Sequence, residues 1–84
     1  MAEVRLTAEA AEQFDGLPLP IKARVAGVFE RMTSWPNVTG AKPLRGRLAG
    51  HYRIRTGDWR VQFRVEGAKL LVERIGHRDR FYED

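Results

Sequence analysis

From His51 to Arg64 the chain holds four arginines, Arg53, Arg55, Arg60 and Arg64, at a spacing that lets them share one surface. Polar and apolar residues alternate on both sides of Gly57-Asp58, a permitted two-residue hairpin turn with glycine first. With that turn, Arg55 stands opposite Arg60, Arg53 opposite Gln62, and His51 opposite Arg64. The intervening pairs are Thr56 with Trp59, Ile54 with Val61, and Tyr52 with Phe63. Directly opposed residues share a face and successive pairs alternate faces. The hairpin therefore has one apolar face and one cationic face. Arginines opposed across a strand pair repel unless an anion lies between them. Such a surface suits phosphate binding and can stabilise negative charge that grows on a reacting phosphoryl group.

The rest of the chain shows the same bias. Residues 1–30 hold three basic and five acidic side chains, and residues 66–84 hold four basic and five acidic. Residues 31–65 hold eight basic side chains (Arg31, Lys42, Arg45, Arg47, Arg53, Arg55, Arg60, Arg64) against Asp58 alone. The net charge of +4 thus conceals a concentrated basic stretch of the kind that follows a phosphate backbone. A hydrophobic share of 43% with 31% charged residues excludes a disordered chain, and 84 residues allow one core, hence one domain over 1–84. The absence of cysteine excludes disulfides and thiolate metal sites. No apolar run is long enough for a secretory signal or a membrane span, so a cytoplasmic protein without membrane partners is expected.

The elements that position the arginines follow from periodicity. Glu3-Val4-Arg5-Leu6 alternates and predicts a strand over 2–6. Thr7 is a suitable N-cap for a helix over 8–16, with Glu9 near the positive end of its dipole and Gly16 closing it. Pro18 and Pro20 open a second helix, in which Ile21, Val25, Val28, Phe29 and Met32 form one apolar stripe. Pro36 ends this helix, and residues 34–42 read as loop. From Pro43 onward the pattern is β, with Gly67-Ala68 as a second turn before Lys69-Leu70-Leu71-Val72-Glu73-Arg74-Ile75. Uninterrupted pairing would put Leu70 and Val72 inside, but also Arg74 inside and Ile75 on the cationic face. A β-bulge near Glu73 or Arg74 resolves that conflict. The expected fold is α+β in the order β-α-α-β-β-β, with two helices covering one face of an antiparallel sheet.

On these elements the chain resembles the RelE/ParE superfamily of bacterial toxins, and more closely its RelE-like ribonuclease branch. The resemblance rests on Lys42-Pro43-Leu44-Arg45-Gly46-Arg47, Tyr52-Arg53-Ile54-Arg55, Gly57-Asp58-Trp59-Arg60-Val61 and Ile75-Gly76-His77-Arg78, with Tyr82 close behind. It implies the toxin of a type II toxin–antitoxin system: an endoribonuclease that cuts messenger RNA in the ribosomal A site. A small, acidic cognate antitoxin with an amphipathic helix would hold it inactive, and the complex would bind its own operator DNA. The implied chemistry needs no metal or cofactor. The RNA 2′-hydroxyl attacks the neighbouring phosphate and leaves a cyclic phosphate and a 5′-hydroxyl. By position, Arg53 and Arg55 fall where RelE-like enzymes place basic residues. Arg60 matches the phosphate-binding arginine, Arg78 a catalytic arginine, and Tyr82 a base-stacking or substrate-orienting tyrosine. A ParE-like non-nuclease toxin acting on DNA gyrase is the alternative, as is an inert RNA- or antitoxin-binding relative.

RelE-like enzymes often carry lysine at the positions of Arg53 and Arg55. Arginine stays protonated in proteins, so it stabilises charge but does not act readily as a general base. That directs attention to histidine, which titrates near neutrality. His77, beside Arg78, is assigned the proton-transfer role. His51, at the hairpin mouth, joins Lys42, Arg45, Arg47 and Arg64 as RNA-binding residues that position the substrate without reading sequence. Tyr52, Trp59 and Phe63 alternate with arginines and read as core, Trp35 as helix-end packing, and Phe81 as docking of the tail on the core. Glu66 and Glu73 read as salt-bridge partners.

Overall fold

The computed structural model describes residues 1–79. Strand β1 (Glu3–Leu6) leads through Thr7 into helix α1 (Ala8–Asp15), followed by α2 (Leu19–Met32). The Thr7 side chain accepts a hydrogen bond from the Ala10 N–H at 3.1 Å, satisfying one of the helix's unpaired donors. Gly16 closes α1 in a right-handed rather than a left-handed conformation. Pro20 lies in the first turn of α2, as its missing N–H permits. The chain then forms a short strand β2 (Lys42–Pro43), a 3₁₀ turn at Gly46–Leu48, and strands β3 (His51–Thr56), β4 (Trp59–Glu66) and β5 (Lys69–His77).

The five strands form one sheet in the order β1-β5-β4-β3-β2. The β3–β4 register is the one expected from the Gly57-Asp58 turn, from Thr56 opposite Trp59 to His51 opposite Arg64. Gly57 has φ +62°, a conformation open to glycine at little steric cost. The sheet is mixed rather than wholly antiparallel, because β1 pairs parallel to β5. The direction of β1 is fixed at its end: the Thr7 N–H donates to the Val72 carbonyl at 2.9 Å, and the Thr7 hydroxyl donates to the Glu73 carbonyl at 3.3 Å. The loop expected over 34–42 yields its last residue to β2, which pairs antiparallel with β3. Pro43 is tolerated there because β2 is an edge strand.

The bulge falls at Glu73. Gln62 pairs with Arg74 and Phe63 with Val72, so Glu73 is the extra residue on β5. Its effect is to return Ile75 to the core, where it is buried, while Arg74 is left half-buried. The core gathers Ala10 of α1, Leu17, and Val25, Val28 and Met32 of α2 against Ile54, Val61, Phe63, Leu70, Val72 and Ile75 of the sheet. Trp35, Tyr52 and Phe63 form an aromatic cluster beside it, with ring centroids 4.8–5.7 Å apart. Both helices therefore cover the apolar face of the β3–β4 hairpin and leave the arginine face to solvent. Among the described residues no helix is long and apolar enough to cross a membrane.

Candidate nucleic-acid interface

On the uncovered face the register sets Arg55 beside Arg60, Arg53 beside Gln62, and His51 beside Arg64. Lys42 of β2 pairs with Arg53 and extends the cationic row to the sheet edge. Lys42, Arg53 and Arg55 line one groove with Gly40, Ala41, Pro43 and Gly57. Its walls combine cationic side chains with the small apolar groups of Ala41 and Pro43, and the cations suit a phosphate. The Arg60 guanidinium turns back over the hairpin turn, 3.5 Å from the carbonyl oxygens of Gly57 and Trp59. Bonds that long are weak. Arg45 and Arg47 lie on or beside the 3₁₀ turn and are exposed.

The face also holds carboxylates from outside the basic stretch. Glu73, placed by the bulge, accepts from Arg64 at 3.3 Å and from the buried Gln62 amide at 3.4 Å. Its Oε1 lies 2.5 Å from His51 Nδ1. Arg64 is shared with Glu66, at 2.9 Å. The sheet arginines are thus partly neutralised at the His51–Arg64 end, whereas among the described residues no carboxylate forms an ion pair with Arg55. Glu73 and Glu66 are indeed salt-bridge partners. What alternation along β5 alone does not show is that Glu73 reaches a histidine two strands away.

The remaining expected residues are placed differently. His77 lies opposite Trp59, with ring centroids 5.3 Å apart. It shares the helix side of the sheet with Trp59, Gln13 and Ile75 around a separate pocket, and is not brought together with Arg53, Arg55 and Arg60. The cause is the bulge, which shifts every later residue of β5 by one position relative to simple alternation. Arg78 lies just beyond β5 and close to the hairpin turn: its N–H donates to the Asp58 carbonyl at 2.7 Å. Its guanidinium is exposed, 3.7 Å from Asp58 and 3.6 Å from Asp79. Tyr82 and Phe81 lie outside the described residues. Among the described residues no group of three or more His, Asp or Glu side chains could hold a metal ion.

This arrangement can be set beside known proteins. Residues 4–82 match the family model described as ParE toxin of type II toxin-antitoxin system, parDE. The chain belongs to this toxin family. Toxin RelE of Mycobacterium tuberculosis is 38% identical over 73 residues, covering 86% of this chain and 74% of that protein. Toxin RelG of the same organism is 34% identical over 82 residues, covering 94% of this chain and 93% of that one. Among solved structures, the toxin of the M. tuberculosis RelBE2 toxin–antitoxin complex matches with a TM-score of 0.79 and 30% identity, covering 92% of this chain and 91% of that chain. The isolated E. coli RelE toxin has a TM-score of 0.78 at 16% identity, covering 92% of this chain and 84% of that one, and so shares the fold. The toxin's fold and family are therefore those of the RelE/ParE superfamily.

Proposed function

We propose that this toxin is an endoribonuclease that cuts messenger RNA on the ribosome, with the uncovered face of the sheet as its working surface. The observation that carries the reading is the convergence of Lys42, Arg53, Arg55 and Arg60 on one groove-bearing face. Of these, Arg53, Arg55 and Arg60 can bind the scissile phosphate and stabilise the extra negative charge of its transition state. Arg55 and Arg60 reach it from the turn, Arg53 from the middle of the row, and Arg78 from beyond the end of β5. Lys42, Arg45 and Arg47 hold phosphates further along the strand, and Tyr82 stacks on a base. A cognate antitoxin with acidic residues and an amphipathic helix covers this surface, and the pair binds operator DNA. The complexes solved for relatives, RelBE2 of M. tuberculosis and RelB–RelE of Methanococcus jannaschii, support such a partner.

A second reading is favoured by one finding, the family model's description as ParE. On that reading the toxin acts on DNA gyrase and cuts no RNA. Incubating the purified toxin with translating ribosomes, and separately with gyrase and supercoiled DNA, distinguishes the two. Cuts at fixed positions within codons support the nuclease. Intact mRNA with inhibited gyrase supports the alternative.

A further inference from the structure

The reaction proposed above needs a group that exchanges a proton, and arginine does not readily do so. On the cationic face, one side chain is built for that task. We infer that His51, held at Nδ1 by the bulge carboxylate of Glu73, is the proton-transferring residue, with Glu73 as its positioning residue; the inference rests on the nuclease reading. A carboxylate oxygen 2.5 Å from Nδ1 places the shared proton on that side of the ring. Nε2 is then the nitrogen left to meet a ligand. This is the division of labour by which a carboxylate fixes an imidazole's tautomer and direction.

The surroundings fit the role. Both side chains are mostly buried, His51 20% exposed and Glu73 17%, so their orientation is held by packing as well as by the bond. Glu73 is itself fixed by Gln62 and Arg64, and its backbone carbonyl by the Thr7 hydroxyl. The charged groups facing His51 are Glu73 of β5, Arg64 opposite on β4, and Arg53 two residues along β3, with Lys42 of β2 beside Arg53. Same-face positions on a strand are about 6.8 Å apart. A scissile phosphate centred on Arg53 therefore lies one step from His51 and one step from Arg55, with Arg60 opposite the latter.

In the step, His51 Nε2 takes the proton of the 2′-hydroxyl as O2′ forms its bond to phosphorus. The bond from phosphorus to O5′ breaks, and the leaving oxygen takes a proton from water. The imidazolium then returns its proton to water. The products are a 2′,3′-cyclic phosphate and a 5′-hydroxyl.

The test is single-turnover cleavage on translating ribosomes across pH for the wild type, His51→Gln, His51→Ala, Glu73→Gln and His77→Gln, with folding checked by circular dichroism. His51→Gln should cut about 10²–10⁴-fold more slowly and lose a pH–rate inflection present in the wild type. Added imidazole should restore part of the rate of His51→Ala. Glu73→Gln should cut more slowly, and two-dimensional ¹H–¹⁵N spectra should show the Nδ1–H tautomer of His51 lost. If Glu73→Gln misfolds, the wild-type spectra decide: His51 held as the Nδ1–H tautomer supports the pair, and the Nε2–H tautomer overturns it. If the wild type cuts and His51→Gln cuts equally fast with the same inflection, this assignment falls and the nuclease reading stands. If the inflection is lost in His77→Gln instead, the proton carrier is His77. If the wild type leaves mRNA intact, both readings fall.

Discussion

Arg55 and Arg60 stand directly opposite each other across the β3–β4 hairpin, on the face that the helices leave uncovered. Two guanidinium groups in this relation repel, which costs stability unless an anion or carboxylate lies between them. Arg60 Nη1 also lies at the 3.5 Å limit of a hydrogen bond from the carbonyl oxygens of Gly57 and Trp59. Arg60→Ala should therefore leave the thermal midpoint unchanged or raise it, while cleavage falls about 10²–10³-fold, the loss typical of one removed charge-stabilising donor. Thermal unfolding beside single-turnover kinetics checks both parts. A variant that unfolds would show that the pair is structural.

Lys42 is exposed, at the edge of the sheet and beside Arg53. Its expected role is phosphate contact without sequence information, which sets affinity and salt dependence together. In Lys42→Ala, binding to single-stranded RNA should weaken for every sequence. The slope of log K against log salt should also fall by about 0.7, the amount for one lost phosphate contact. Fluorescence anisotropy over a salt series measures both.

The turn at Gly57 controls whether Arg55 and Arg60 face each other at all. A Cβ there would meet an Arg24 guanidinium nitrogen at 3.2 Å, and φ is +62°. The backbone conformation alone makes Gly57→Ala about 1–2 kcal/mol less stable. Gly57→Asn should recover part of that loss, because asparagine tolerates the left-handed region. Urea denaturation of the two variants separates backbone strain from contact with Arg24.

Thr7 links a helix start to the bulge that positions Glu73. Its hydroxyl accepts from Ala10 and donates to the Glu73 carbonyl. Thr7→Ala should cost about 1 kcal/mol for the cap and loosen the bulge as well. Thr7→Ser, which keeps the hydroxyl, should stay close to wild type. Comparing denaturation midpoints of the two variants, with hydrogen exchange at Glu73 and Arg74, tests this.

Much of this architecture was legible in the sequence for identifiable reasons. The β3–β4 register followed from one glycine turn and strict alternation, and the bulge from the conflict between Arg74 and Ile75. Two features were not legible. The parallel pairing of β1 depends on Thr7 meeting Val72 and Glu73, contacts between residues about 65 apart in the chain that no local pattern encodes. The side of the sheet taken by His77 depends on where the bulge falls, since moving the extra residue by one position changes the face of everything after it. A bulge fixed at Glu73, together with the His51–Arg64 pairing, would have indicated that Glu73 and His51 meet.

The central claim is that the cationic face directs attack of a 2′-hydroxyl on a phosphate, and the ends of the RNA products test it most directly. Messenger RNA from translating ribosomes treated with the wild-type toxin should yield upstream fragments ending in a 2′,3′-cyclic phosphate. Downstream fragments should begin with a 5′-hydroxyl that a polynucleotide kinase labels without prior phosphatase treatment. Arg60→Ala should yield about 10²–10³-fold less of both in the same time. Fragments beginning with a 5′-phosphate, or mRNA left intact by the folded wild type, would contradict the account.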